Sequence, residues 1–414
     1  MKRFVVESIG CRTNQYEAEV FKKQLAIAGY IESSVGDRVD LCIVNACAIT
    51  HHAETSSRRK VRALVRKYPD ALVVVTGCIQ DLEAMRAIPG VSHVIKEKER
   101  LVEQLVGCSY PFAISSFSGH TRAFLKVQDG CNNFCSYCIV PYLRGRSRSR
   151  KIADIVEEVK ALVSSGHQEI VLVGVDLGDF QDHDATLADL MSELDSISGL
   201  VRLRLSSIHP HQVDRRLIDL MRSTRTICPS MHLVLQSGSN EILKRMRRRY
   251  TREIFFDVSE SVLQVSPDFL LTTDIIVGFP GETEEDFLQT VDMLKQLPFA
   301  KVHIFPYSMR PGTQAATFPD PISPSVIEER KRVLLHVAET RSKLVRDRFV
   351  GRSMCVLTES PNEHGSYGLL ANGMPVFFRE NLKPNIFIDA RIVENQDVGL
   401  IGEHIKVVDC LCEQ

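Results

Sequence analysis

The chain has 414 residues, 44% apolar and 25% charged, with a formal net charge of −1. That length exceeds one simple core and predicts two or three domains, and the composition excludes a disordered or collagen-like chain. The start, MKRFVVESIGCRTNQ, has too short an apolar run for a signal peptide, and no stretch reaches 18 uncharged apolar residues. No membrane is expected, and a cytoplasmic location is.

Residues 1–95 alternate short apolar runs with helix-like segments. Strands are predicted at Phe4–Ile9, Asp40–Val44 and Ala71–Thr76, with Val91–Ile95 at an edge. Helices are predicted near Glu17–Ala28, Thr50–Lys67 and Leu82–Ile88. A β-α repeat of this kind predicts a small parallel sheet. Three cysteines then fall at corresponding places: Cys11 after the first strand (ESIGC), Cys47 after the second (IVNAC) and Cys78 after the third (VVTGC). Loops after parallel strands share one edge, so the three thiols either converge on one metal site or are ordinary buried cysteines. Asn14 and Gln15 lie beside Cys11, where Asn14 would serve equally as a helix cap. SSRRKVRALVRK (56–67) holds six basic residues, a solvated helix face or an RNA contact.

From Thr121 to Phe318 the rhythm continues at a longer period. Strands are predicted at Ala123–Val127, Glu169–Val173, Val201–Leu205, His232–Leu235, Leu271–Val277 and Lys301–Phe305. Ile152, Ile155, Val156, Val159, Leu162 and Val163 form a helical stripe between the first two strands. Phe287, Val291 and Leu294 form another after the acidic turn Glu282–Asp286. Six such units fit a partial β/α barrel with its site at the C-terminal strand ends. At that end of the first strand stand Cys131, Cys135 and Cys138, spaced C-x3-C-x2-C. Three thiolates so spaced can hold three corners of an iron–sulfur cube and leave the fourth iron open; zinc or reduced structural cysteines are the alternatives. Two basic runs, RGRSRSR (144–150) and KRMRRRYTR (244–252), accompany these loops.

Residues 306–324 are rich in Pro, Gly and Thr and read as a boundary loop, followed by a charged helix, Glu328–Arg348. Short strands are predicted at Ser353–Thr358, Tyr367–Ala371, Met374–Phe378, Phe387–Val393 and His404–Val408, enough for a small barrel. Residues 353–414 carry nine acidic against four basic residues. The remaining cysteines, Cys42, Cys108, Cys228, Cys355, Cys410 and Cys412, are scattered, with Cys42 and Cys355 inside apolar runs that suit core thiols.

C-x3-C-x2-C resembles the signature of the radical S-adenosylmethionine (SAM) enzymes. The longer string DGCNNFCSYCIVPYLRGRSRSR, with GCRTNQ, NACAIT and TGCIQ, resembles the methylthiotransferases of that superfamily. Within them it is most like the branch that modifies threonylcarbamoyladenosine in transfer RNA. The resemblance implies a parallel α/β sheet domain over 1–110, a partial (β/α)6 radical SAM barrel over 111–340 and a TRAM-like RNA-binding β-barrel over 341–414. It implies a 4Fe-4S cluster with SAM on Cys131, Cys135 and Cys138, and an auxiliary 4Fe-4S cluster on Cys11, Cys47 and Cys78. Ala46 stands where Thr is common, and Asp176 where related sequences often carry Asn or His. Strand-end residues become candidates for holding SAM: Asp176 and Asp179, Arg204 and Ser206, Gln236 and Ser237, and Gly278. The acidic balance of the last domain departs from what an RNA-binding module suggests.

The implied reaction is methylthiolation at C2 of N6-threonylcarbamoyladenosine 37 of transfer RNA. The implied partners are the anticodon arm and an electron donor such as flavodoxin or ferredoxin, and a monomer is expected. The alternatives are methylthiolation of isopentenyladenosine 37 or of a ribosomal-protein aspartate. From another class comes a zinc or iron–sulfur RNA-binding protein without catalysis.

Overall fold

The computed structural model describes every residue except 35–36, 362–364, 398 and 409–414. Cys410 and Cys412 lie outside the described residues. The first unit is a parallel sheet of strands β1 (Arg3–Ser8), β2 (Ile31–Glu32), β3 (Leu41–Ala46), β4 (Leu72–Gly77) and β5 (His93–Val94), in the order β2-β1-β3-β4-β5. Every residue of β3 is buried, as expected of a central parallel strand covered on both faces. Helix α1 (Arg12–Ile27) starts well before the expected Glu17, because extended Cys11 (φ −79°, ψ 167°) is already its N-cap. It buries Tyr16, Val20, Phe21 and Leu25 at helical spacing. Thr50 caps α2 (His51–Lys67) by accepting from the Ala53 amide. The two-residue β2 was not anticipated: both its residues are exposed and it has no periodic signal.

The central unit is the expected partial barrel. Strands β6 (Arg122–Lys126), β7 (Glu169–Val173) and β8 (Arg202–Leu205) pair in parallel. So do β9 (Ser207–Ile208), β10 (Ser230–Leu233), β11 (Leu270–Val277) and β12 (Phe299–Pro306). Strand β8 matches the predicted Val201–Leu205, β9 follows it after Ser206 without having been anticipated, and a bridge between Leu203 and Ile227 continues the curved wall. Outside it, helix α3 (Ile152–Ser164) buries Ile155, Val159 and Leu162 completely, each worth about 1.5–3 kcal/mol of apolar transfer. Helix α4 (Glu284–Gln296) opens with a reciprocal cap between Thr283 and Asp286.

The first sheet unit covers the open side between β6 and β12. Tyr16 of α1 donates to Glu158 of α3 at 3.0 Å. Beyond β12, the His51 amide donates to Ser308 (3.2 Å), Gln80 to the Pro311 carbonyl (2.7 Å), and Arg310 pairs with Glu54 (2.6 Å).

Helix α5 (Pro324–Asp347) leads to a closed five-stranded barrel of β13 (Ser353–Thr358), β14 (Ser366–Leu370), β15 (Pro375–Phe378), β16 (Phe387–Gln396) and β17 (Gly399–Val407). It docks on the early residues of the central strands. Arg202 donates to the Leu369 carbonyl at 2.8 Å, Arg204 to that of Ala371 at 2.9 Å, and Arg122 pairs with Glu359 at 2.5 Å. No helix among the described residues is long and apolar enough to cross a membrane.

Candidate functional site

Cys11, Cys47 and Cys78 follow β1, β3 and β4, three adjacent parallel strands, and so stand on one sheet edge. The loops that carry them touch. Gly10 has φ +98°, and a Cβ there would come within 2.7 Å of the Cys47 sulfur. Gly77 has φ +100°, and a Cβ there would lie 2.4 Å from the Ala46 carbonyl. Only glycine fits either place. Asn14 is not the cap of α1; its Nδ2 donates to the carbonyls of Ile9 (2.8 Å) and Ala46 (3.0 Å), stitching two cysteine loops together. Ser57 Oγ is 2.9 Å from both the amide and the carbonyl of Cys47. Burial pushes the Cys47 thiol up to about 11 and raises that of Cys78.

The second triad lies past the end of β6. Gly130 turns the chain at φ +73°, where a Cβ would sit 2.0 Å from the Arg146 carbonyl. Gln128 braces the turn: its Nε2 donates to the Gly130 carbonyl (2.8 Å), and its Oε1 accepts from the Val175 and Asp176 amides (2.9 Å each). Ser136 donates to the carbonyls of Met246 (amide, 3.1 Å) and Arg245 (hydroxyl, 2.7 Å). Donors already point at the sulfurs: Arg248 Nη1 lies 3.1 Å from Cys135, and the Asn133 amide 3.4 Å from Cys131. Burial pushes the Cys131 thiol up to about 11; burial and then neighbouring Cys135 push Cys138 up to about 12.

Each triad is a cluster of reduced thiols, with no disulfide, on tight loops whose guanidinium and amide donors aim at sulfur. That donor set fits an iron–sulfur cluster, whose sulfurs accept hydrogen bonds. In each case the protein supplies three cysteines.

One buried network joins the triads. Arg144, the last residue of the short helix Val140–Arg144 after the second triad, reaches Cys78 Sγ with Nε (3.1 Å) and Glu17 and Asp129 with Nη1 (3.0 and 2.9 Å). Lys98 and Lys126 also hold Glu17, at 3.1 and 3.2 Å. Burial would raise the Glu17 pKa, but Lys126, Arg144 and Lys98 overcome it and hold the carboxyl well below its usual range. The same balance brings Asp129 down to about 2.

The other predicted residues divide. Asp176 is brought to the second triad: its Oδ2 is 3.5 Å from Cys131 Sγ, and it accepts from Asn133 (2.6 Å) and Gln212 (2.8 Å). Asp179 is exposed and accepts from Asn132 at 3.4 Å. Ser206 Oγ and Gln236 Oε1 are buried with no hydrogen-bond partner among the described residues. Gln236 also has φ +70°. Ser237 is buried, and its hydroxyl accepts from the Ser239 amide at 3.2 Å. Arg204 is not brought to the triad; it pairs with Glu169 at 2.8 Å and helps dock the last barrel. Nor does Gly278 leave open space, since Ile327 fills the place of its missing side chain (2.4 Å).

The basic runs are only partly solvated. Arg144 and Arg150 turn inward, and Arg248 serves Cys135, while Arg146, Arg148, Arg247 and Arg249 are exposed. The sequence reading missed the inner wall formed by His232, Asp274 and His303 on β10, β11 and β12. Their ligand atoms lie within 4.8 Å of one another, and His232 Nε2 is 3.3 Å from Asp274 Oδ2. Phe305, 46% exposed, stacks on His303 at 6.3 Å. Alternation in LLTTDIIV and in FAKVHIFP was the available signal, because every second residue of these strands faces inward.

Comparison with known proteins agrees with this arrangement. The model of the radical SAM superfamily matches residues 125–294, and that of uncharacterized protein family UPF0004 matches residues 3–95. A threonylcarbamoyladenosine tRNA methylthiotransferase MtaB of Chlamydia pneumoniae is 42% identical, covering 97% of this chain and 97% of the relative. The MtaB of Bacillus subtilis is 33% identical (98% and 93%). A tRNA-2-methylthio-N(6)-dimethylallyladenosine synthase of Alkaliphilus oremlandii is also 33% identical (98% and 93%). Among solved structures, the radical SAM methyltransferase TsrM of Kitasatospora setae with tryptophan and a SAM analogue aligns with a TM-score of 0.55 at 15% identity. It covers 74% of this chain and 73% of that one, a likeness of fold alone. The chain belongs to the radical SAM methylthiotransferases.

Proposed function

We propose that this protein replaces the C2 hydrogen of N6-threonylcarbamoyladenosine 37 in transfer RNA with a methylthio group. The observation that carries the reading is the joining of two cysteine triads through Arg144, whose guanidinium touches Cys78 and the Asp129 turn at once. The choice of nucleoside follows the relative at 42% identity rather than the dimethylallyl-specific ones at 33%. The adenine C2–H bond is strong and not acidic, so a general base has no useful purchase on it. Cys131, Cys135 and Cys138 would hold one 4Fe-4S cluster with SAM, and Cys11, Cys47 and Cys78 a second. Bound there, these groups would supply the radical that removes the hydrogen and the sulfur that takes its place, the methyl group coming from SAM.

The chain's own residues bind, orient and exclude water. Asp176, Ser206 and Gln236 offer SAM polar contacts around the second triad. Helix α1 closes the open side of the barrel, and the buried Glu17 network keeps the two triads in register. The base must leave its stack to enter, and Phe305 on His303 offers it an aromatic face. Outside, Tyr142 (61% exposed) packs on Phe134, and Arg146 lies 4.4 Å over the Phe134 ring, a surface suited to the anticodon arm. The last barrel contributes by shape, given its acidic balance. Both triads come from one chain, so a monomer suffices, with electrons from flavodoxin or ferredoxin.

The test is conversion in vitro. Anaerobically reconstituted protein with SAM and reductant should turn threonylcarbamoyladenosine 37 of unmodified transfer RNA into its 2-methylthio form. Methylthiolation of isopentenyladenosine 37 instead would move the substrate. A colourless zinc protein with no SAM cleavage would end the enzyme reading.

A further inference from the structure

The substrate of the proposed reaction differs from its isopentenyl counterpart by one full charge, the carboxylate of the threonylcarbamoyl group. A site that selects it needs a cation that is near both triads, reachable from water and not already neutralised. Most arginines around the barrel fail one of these conditions. Arg144 is spent on Glu17 and Asp129, Arg204 on Glu169, Arg122 on Glu359 and Arg310 on Glu54. Arg248 is committed to Cys135 and to Tyr250.

Arg12 stands beside the first triad, is reachable from water and is not already neutralised. It follows Cys11 directly and begins α1, the helix that packs on the first barrel strand, β6. Its side chain is exposed, and among the described residues no carboxylate lies within ion-pair distance of it. Its guanidinium sits 5.5 Å over the ring of Phe124 on β6, a cation–π contact that uses the face of the group rather than its N–H donors. It is close enough for its charge to be felt by His303 on β12. His303 belongs to the wall on which Phe305 offers a surface for a base. The charges of Arg122 and Arg204 also act on Arg12, while Glu169, the nearby carboxylate, is held by Arg204.

We infer that Arg12 receives the carboxylate of the threonylcarbamoyl side chain and thereby sets the choice of nucleoside. The inference rests on the proposed function. A base against Phe305 and His303 would stand on the wall where the charge of Arg12 acts, within the region its N6 substituent would explore. The planar guanidinium can take a carboxylate bidentately, a geometry lysine cannot reproduce. In a partly enclosed site, such a charge-assisted contact corresponds to roughly 10- to 100-fold in affinity.

The experiment uses reconstituted holoprotein and two anticodon stem-loops. One carries threonylcarbamoyladenosine 37; the other carries the same nucleoside with its carboxylate converted to the uncharged methylamide. Fluorescence anisotropy gives Kd for each RNA with wild type, R12Q and R12K. Wild type should prefer the acid by about 10- to 100-fold, R12Q should bring the two Kd values together while leaving the amide within about twofold of wild type, and R12K should keep part of the preference. Equal Kd values for acid and amide in wild type, or an undiminished preference in R12Q with wild-type iron content, would overturn the inference. Should R12Q not fold, the wild-type pair and R12K still decide it: an R12K preference equal to that of wild type would contradict recognition by the fork. Nucleoside mass spectrometry on the same wild-type preparation keeps the two questions apart. Conversion of the acid stem-loop together with an unchanged ratio in R12Q sinks only Arg12, whereas no conversion of it sinks the parent reading.

Discussion

Arg144 donates from Nε to the sulfur of Cys78 at 3.1 Å, although the two residues lie 66 positions apart, one in the central unit and one in the first. The contact is possible because the rest of the guanidinium is neutralised by Glu17 and Asp129. The side chains of Arg144 and Glu17 are 2% and 0% exposed, so neither charge has water to fall back on. Breaking such a set by removing one member costs about 3–5 kcal/mol, because the remaining charge is left uncompensated. Arg144→Met should therefore lower the unfolding free energy of the apoprotein by about that amount, read from denaturant unfolding under reductant. A loss below about 1 kcal/mol would mean that the network is dispensable.

Acid should unpick the same network. The folded Asp129 pKa is about 2, below its ordinary 3.8: burial raises it, and Lys126 and Arg144 more than offset that. A depressed carboxylate stabilises the fold above its unfolded pKa and loses that contribution as pH falls through the folded value. The window therefore runs from about 4 down to about 2, and the contribution is on the order of 2 kcal/mol. Asp129→Asn should be less stable than wild type at pH 7, and the two stability curves should converge as pH falls toward about 2. Parallel curves between pH 5 and pH 2.5 would contradict this.

Much of this was legible in the sequence, and the reasons are specific. Cys11, Cys47 and Cys78 each end an apolar run, so a parallel sheet had to bring them to one edge. The triplet spacing was visible without any fold. Pairing partners across the chain were not. Nothing local tells Arg144 and Arg248 from the exposed arginines beside them, because burial of a charge is decided by where Glu17 and the thiols arrive. Arg204 shows the converse: a strand-end arginine suggested a cofactor contact, but its neighbour in space is Glu169. Gly278 was a strand-end candidate for holding SAM, and Ile327 of α5 takes the place of its missing side chain.

Loading of the triads should release protons. Cys131, Cys138 and Cys47 titrate at about 11, 12 and 11, so at neutral pH these thiols are protonated, whereas a metal binds thiolate. Cobalt(II) added to apoprotein should give a thiolate-to-metal absorption band that strengthens from pH 6 to pH 8, with acid released into a weakly buffered solution. A band independent of pH would show that the sulfurs are already ionised.

The two triads should fail differently. Ala at Cys131, Cys135 or Cys138 should abolish formation of 5′-deoxyadenosine from SAM. Ala at Cys11, Cys47 or Cys78 should leave it detectable but eliminate the methylthio product, with bound iron falling by about half. Full product formation in any of the second set would remove Cys11, Cys47 and Cys78 from the sulfur-donating role.

The most direct test is mass spectrometry of nucleosides from the transfer RNA of a strain lacking this gene. The account predicts that 2-methylthio-N6-threonylcarbamoyladenosine disappears, that its unthiolated precursor accumulates, and that wild-type but not Cys131→Ala protein restores it. Persistence of that nucleoside in the deletion strain, with or without loss of the methylthio-isopentenyl form, would contradict it.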